Sequence, residues 1–187
     1  MAEEKKRRGR RDHLNDFYRD VSGNYVYTGV CYEHTGGVRA NTALLRRLRL
    51  MAAVMAAAVL AGGCISAPGV GRCFYVLLPY AAQIGVTGSV VWAVARWQVR
   101  EYPLREYIYR ATVQALPGRC LAQTVLAGVG LAAETLYLLL SGSGGHGAAA
   151  AIYLLLQACV LVLALLARRA VLASDWQMEK HGGLTTE

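Results

Sequence analysis

Four stretches of this chain, about residues 50–67, 73–95, 120–140 and 148–167, carry almost no charged side chain and fix what it can fold into. A hydrocarbon layer of roughly 30 Å is crossed by a helix of about 20 apolar residues rising 1.5 Å each. A helix apolar on every face gains nothing from water, so the stretches predict an all-α membrane protein, a four-transmembrane-helix bundle. With 55% hydrophobic and 17% charged residues, the composition is not that of a water-soluble domain.

Orientation follows from the basic residues. All of the 20 Lys and Arg except Arg72 fall in the N-terminal segment, the connection from Arg96 to Arg119 or the C-terminal tail. The positive-inside rule then places both termini in the cytoplasm of a multi-pass cell-membrane protein. The net charge of +8 is expected to meet anionic lipid headgroups at the cytoplasmic face, with no nucleic acid as partner. Lys5, Lys6, Arg7, Arg8, Arg10 and Arg11 read as a basic disordered tail over residues 1–16. Ala61-Gly62-Gly63-Cys64 loosely resembles a lipoprotein cleavage site. It lacks a Leu three residues ahead of the Cys and follows a very long leader, so the first span is expected to be retained.

Residues 17–40 form a Tyr-rich segment in which Ser22-Gly23-Asn24 is a turn signal between strand-favouring residues, predicting a small cytoplasmic hairpin. Alternation puts Tyr25, Tyr27 and Cys31 on one face and Val26, Thr28, Val30 and Tyr32 on the other. An isolated hairpin is marginal in water, so Tyr25, Tyr27 and Tyr32 are candidates for docking a protein partner. Asn41-Thr42 is the expected cap of the first membrane helix, with Arg46, Arg47 and Arg49 at headgroup level. Ala53, Ala57 and Ala61, four apart, are its expected packing stripe. The transmembrane domain is taken as residues 41–173 and the cytoplasmic tail as 174–187. Between the second and third spans, Pro103 is expected to open an interfacial amphipathic helix that Pro117-Gly118 stops near Leu116.

Glu134 is the one acidic residue inside a span. Ionisable groups are expensive there and mark functional positions. Counting helical rise places it roughly 9 Å below the outer end, at the depth of Tyr153 on the fourth helix and Tyr80 on the second. With Gln157 and Gln83 these residues form a candidate intramembrane polar cluster. A Glu134–Tyr153 hydrogen bond would lock helices in register; a titrating Glu134 facing a cavity would suit proton-coupled transport. Cys64 and Cys73 flank the outer turn 67–72 and are a possible disulfide.

No phosphate-binding loop, nucleophile elbow or zinc-binding His-Glu-x-x-His motif is present. His146 has no second ligand candidate near it, and His13, His34, Cys31 and Glu33 match no zinc spacing. The sequence therefore predicts a protein that is not an enzyme and has neither cofactor nor metal. The reading is an accessory or assembly subunit of a larger membrane complex, paired with a protein partner or with itself. The alternative is a proton-coupled small-molecule or ion transporter using Glu134.

Overall fold

The computed structural model describes residues 17–19, 25–27, 29–65, 67–99, 102–142 and 145–180. The chain is mostly helical. Its long helices are α1 (Gly37–Cys64), α2 (Phe74–Gln98), α4 (Leu116–Ser141) and α5 (Gly147–Leu172), and the short α3 is Glu106–Tyr109. Three runs, Phe74–Gln98, Glu106–Ser141 and Gly147–Leu172, are long and apolar enough to cross a membrane. The fourth long helix, α1, carries Arg39, Arg46, Arg47 and Arg49 in its first half, and its apolar half ends at Cys64 rather than at residue 67.

The long helices close into a ring: α1 packs on α2, α2 on α4, α4 on α5 and α5 on α1. Polar side chains are buried among the apolar ones inside, and large apolar side chains also face outward, unlike a water-soluble bundle. Gln83, Gln123 and Glu134 are fully buried, whereas Leu50, Phe74, Leu78, Leu139 and Leu155 are among the most exposed side chains. That distribution suits an apolar surround, where a polar group must find its partner inside. Small residues such as Ala52, Ala93, Ala127 and Ala164 line the contacts and let the backbones approach. On α1 the inward stripe is Leu48, Ala52, Met55, Val59 and Gly62; Ala53, Ala57 and Ala61, expected to pack, face outward. Alanines fall on both the inward and the outward side of that segment, so spacing alone does not choose a face, and the larger Leu48, Met55 and Val59 fill the interior.

A three-stranded sheet lies at one end of the ring. β3 (Val30–His34) lies between β4 (Leu104–Arg105) and β5 (Trp176–Lys180), antiparallel to both. The register sets Cys31 opposite Arg105 on one side and Glu179 on the other. A separate hairpin pairs β1 (Phe17–Arg19) with β2 (Tyr25–Tyr27), Tyr18 opposite Val26. The expected hairpin is thus only the first part of the segment. Val30–His34 leaves it for a sheet completed by the 174–187 tail, and a third strand gives the ribbon the stability it lacks alone. Trp176 ties the sheet to the helices, its ring 5.6 Å from Trp97, 5.4 Å from Tyr109 and 5.4 Å from His34. At the opposite end lie the turn Ala67–Arg72 and the α4–α5 connection, whose His146 shares a cavity with Cys64 and Arg72.

Two boundaries differ from the sequence reading. α1 starts at Gly37, upstream of Asn41-Thr42, because β3 passes into it through Thr35-Gly36-Gly37, where Gly37 takes φ +71°. Asn41 is consequently buried inside the helix, and Thr42 Oγ1 donates back to the Val38 carbonyl at 2.8 Å. Pro103 opens no interfacial helix; it precedes β4. From Glu106 the chain winds through α3 and a π-helical turn (Arg110–Gln114) directly into α4. Pro117 does not stop this helix. A proline removes a backbone donor and crowds the carbonyl four residues back, and the wider π turn before it absorbs that mismatch.

Candidate functional site

The polar interior is built by three helices. α2 contributes Tyr80, Gln83 and Thr87, one face of a helix at i, i+3 and i+7; α4 contributes Gln123 and Glu134; α5 contributes Tyr153 and Gln157 one turn apart. All seven are buried. Gln83 Nε2 donates to Gln157 Oε1 at 2.9 Å, and Gln157 Nε2 donates to Gln83 Oε1 at 3.0 Å and to the Tyr153 hydroxyl at 2.9 Å. Gln123 Nε2 donates to Thr87 Oγ1 at 2.8 Å, and that hydroxyl donates to the Gln83 carbonyl at 2.7 Å. Tyr80 leaves this network: its hydroxyl donates to the Val59 carbonyl of α1 at 2.8 Å, while its ring lies 6.3 Å from that of Tyr153.

Glu134 bonds to none of these side chains. Its Oε1 accepts the Gly69 backbone N–H at 3.3 Å, and its Oε2 is buried without a hydrogen-bond partner. The turn Ala67–Arg72 reaches inward to make that contact, with Ala67 and Pro68 buried and the Gly69 carbonyl accepting from Cys73 N–H at 2.9 Å. A Cβ on Gly69 would overlap Glu134 Oε2, so a larger residue there would have to displace the carboxyl. The Glu134–Tyr153 hydrogen bond is therefore replaced by a bond to the turn. Its partner is a backbone group, which no side-chain pattern announces.

Cys64 and Cys73, the possible disulfide pair, are free thiols in this structure, the first exposed and the second half-buried. Together with Arg72 and His146, Cys64 lines a cavity of about 400 Å³. Among the described residues no three His, Cys, Asp or Glu side chains gather as a metal site would require. Of the tyrosines expected to dock a partner, Tyr32 stacks on Tyr109 of its own chain, centroids 4.1 Å apart and planes 5° from parallel. Tyr25 and Tyr27 lie on β2 opposite Arg19 and Phe17; their side chains, like the basic cluster Lys5 to Arg11, lie outside the described residues. In the sheet, burial pushes the Cys31 thiol pKa up; Arg105 opposes that rise and Glu179 and Glu33 add to it.

Chemically, this interior holds helices together through amide and hydroxyl bonds and keeps one carboxyl against the turn Ala67–Arg72. Comparison with protein-family models, curated proteins and solved structures found no match to this chain.

Proposed function

We propose that the chain is a four-span protein of the cell membrane with both termini in the cytoplasm, and that it serves as a non-catalytic accessory or assembly subunit of a larger membrane complex. The topology is supported by the sheet, which gathers residues 30–34, 104–105 and 176–180 at one end of the ring. Segments that share a sheet share a side of the membrane, so an even number of crossings separates them, and the basic residues lie on that side.

The observation that carries the function is the reciprocal Gln83–Gln157 pair. Interior amides bonded to each other cement a scaffold; a transport route needs polar groups left to a substrate. The β1–β2 hairpin and the exposed outer strand β5, with Met178 60% accessible, offer surfaces for a partner on the cytoplasmic side. The test is capture of the full chain from its native membrane, wild type against Tyr25→Ser/Tyr27→Ser. A stoichiometric partner that the variant loses supports the reading. A chain recovered alone in both cases overturns it.

One observation favours the transporter alternative. Glu134 keeps a buried oxygen unpaired directly beneath the outer turn, where a proton or cation would enter. Glu134→Gln preserves shape and removes titration. Proton-driven flux in proteoliposomes that this variant abolishes selects the carrier; unchanged assembly without flux selects the subunit.

A further inference from the structure

Where α1 leaves the sheet, a cleft of about 1390 Å³ open to the surroundings lies beside it, lined also by Trp97 and Gln98 at the end of α2. Along its α1 wall, Arg39, Arg46, Arg49 and Ala53 follow i, i+7, i+10 and i+14, so they share one helical face. Among the described residues none of these three arginines has an acidic or hydrogen-bonding partner. The opposite wall holds Trp97, which is 2% exposed and whose indole Nε1 is buried without a partner. Asn41, 8% exposed, also lines the cleft and carries a buried, unpartnered Oδ1. The Tyr102 hydroxyl accepts the His34 N–H at 3.0 Å and so keeps its own proton to donate.

Beyond Arg39 at the sheet end, the α1 wall runs through an unpaired acceptor at Asn41 and cations at Arg46 and Arg49 to the apolar Leu50 and Ala53, with the unpaired indole donor of Trp97 on the facing wall. A phospholipid presents the complementary order of headgroup hydroxyl, phosphate and acyl chain. Buried donors and acceptors without partners cost free energy that a ligand recovers. We propose that the cleft is a specific site for one anionic glycerophospholipid of the cytoplasmic leaflet whose headgroup carries a hydroxyl, as in phosphatidylglycerol. Its phosphodiester sits between Arg46, Arg49 and the Trp97 N–H, with the Tyr102 hydroxyl as a further donor. A headgroup hydroxyl donates to Asn41 Oδ1, and one acyl chain runs along Leu50 and Ala53. This site rests on the four-span reading, because it needs the start of α1 at a membrane face.

The test is lipid retention by the full-length protein in detergent, read by native mass spectrometry. The probes are phosphatidylglycerol, phosphatidylcholine and phosphatidylmethanol of identical acyl chains, and glycerol 3-phosphate. One phosphatidylglycerol per chain should bind in preference to phosphatidylcholine, and Arg46→Gln/Arg49→Gln should weaken it about thirty-fold. Trp97→Phe, which deletes only the N–H, should weaken it about five-fold. Asn41→Leu should erase the advantage of phosphatidylglycerol over phosphatidylmethanol, which lacks headgroup hydroxyls. Equal retention of phosphatidylglycerol and phosphatidylcholine by the wild type overturns the proposal, and so does selectivity that survives in the double arginine variant. Competition by glycerol 3-phosphate at the same concentration as lipid assigns the cleft to a soluble anion and overturns it as well. The wild-type comparison needs no variant to fold. Labelling of Cys64 in sealed right-side-out vesicles reads the topology separately: outside labelling without lipid selectivity sinks the site alone, whereas labelling from the cytoplasmic side sinks the four-span reading.

Discussion

Gln83 and Gln157 bridge the diagonal of the helix ring, each donating an amide proton to the other at 2.9 and 3.0 Å. Their helices, α2 and α5, are not neighbours around that ring, whose packed pairs are α1–α2, α2–α4, α4–α5 and α5–α1. The amide pair is thus a strut through the centre. Its register is reinforced from above by Tyr153, which accepts the second proton of Gln157.

Gln157→Leu leaves the Gln83 amide without its buried partner. The expected loss is about 1–2 kcal/mol, at the upper end of intramembrane hydrogen bonds because an orphaned group remains. Gln83→Leu/Gln157→Leu should lose less than the sum of the two single variants. Thermal unfolding in detergent of the four proteins closes the double-mutant cycle, and strict additivity would show that the strut carries no coupling.

Gly69→Ala drives a methyl group into Glu134 Oε2. Overpacking of this kind costs about 1–3 kcal/mol. Adding Glu134→Ala makes room for the methyl, so the double variant should melt above Gly69→Ala alone. If the second substitution lowers stability further, the turn does not rest on the carboxyl.

Trp176→Ala removes the ring that contacts Trp97, Tyr109 and His34. The half-buried indole should contribute about 2 kcal/mol, less than a fully enclosed one. Its loss frees β5, so amide hydrogen exchange at residues 30–34 should accelerate while that of α4 stays unchanged. Uniform acceleration throughout the chain would mean that the sheet and helices unfold as one unit.

Cys31 is buried between β4 and β5 with its thiol pKa raised. At neutral pH it is a poorer nucleophile than an ordinary thiol, and a maleimide should modify exposed Cys64 well before it. A raised folded pKa means that the unfolded chain loses its proton first. The contribution of this group to stability is therefore full below the ordinary thiol value and is lost as pH climbs through the folded one. Glu179→Gln removes one of the groups pushing it up, so labelling of Cys31 should become faster at a given pH; slower labelling would reverse the assigned sign.

The apolar runs were legible because they need only composition, and the inward face of α2 because Tyr80, Gln83 and Thr87 are costly anywhere but inside. Glu134 was visible for the same reason. Its partner was not: a backbone N–H on an apolar turn has no sequence signature. β5 escaped notice because five residues near the end of a chain read as a tail until a distant strand pairs with them, and β4 is only Leu104–Arg105. Pro117 misled in the opposite direction, since a proline signals a helix end unless the preceding turn widens to admit it. The orphaned atoms of Asn41 and Trp97 emerge only when α1 and α2 are placed beside each other.

The position of β3 also sets an order of events during synthesis. It leaves the ribosome early, but its neighbours come from residues 104–105 and from 176–180, after the last helix. Until then its edges lie open to any other strand. Closing the sheet thus waits on both later segments, and the two edges of β3 are covered only once residues 104–105 and 176–180 have been brought beside it.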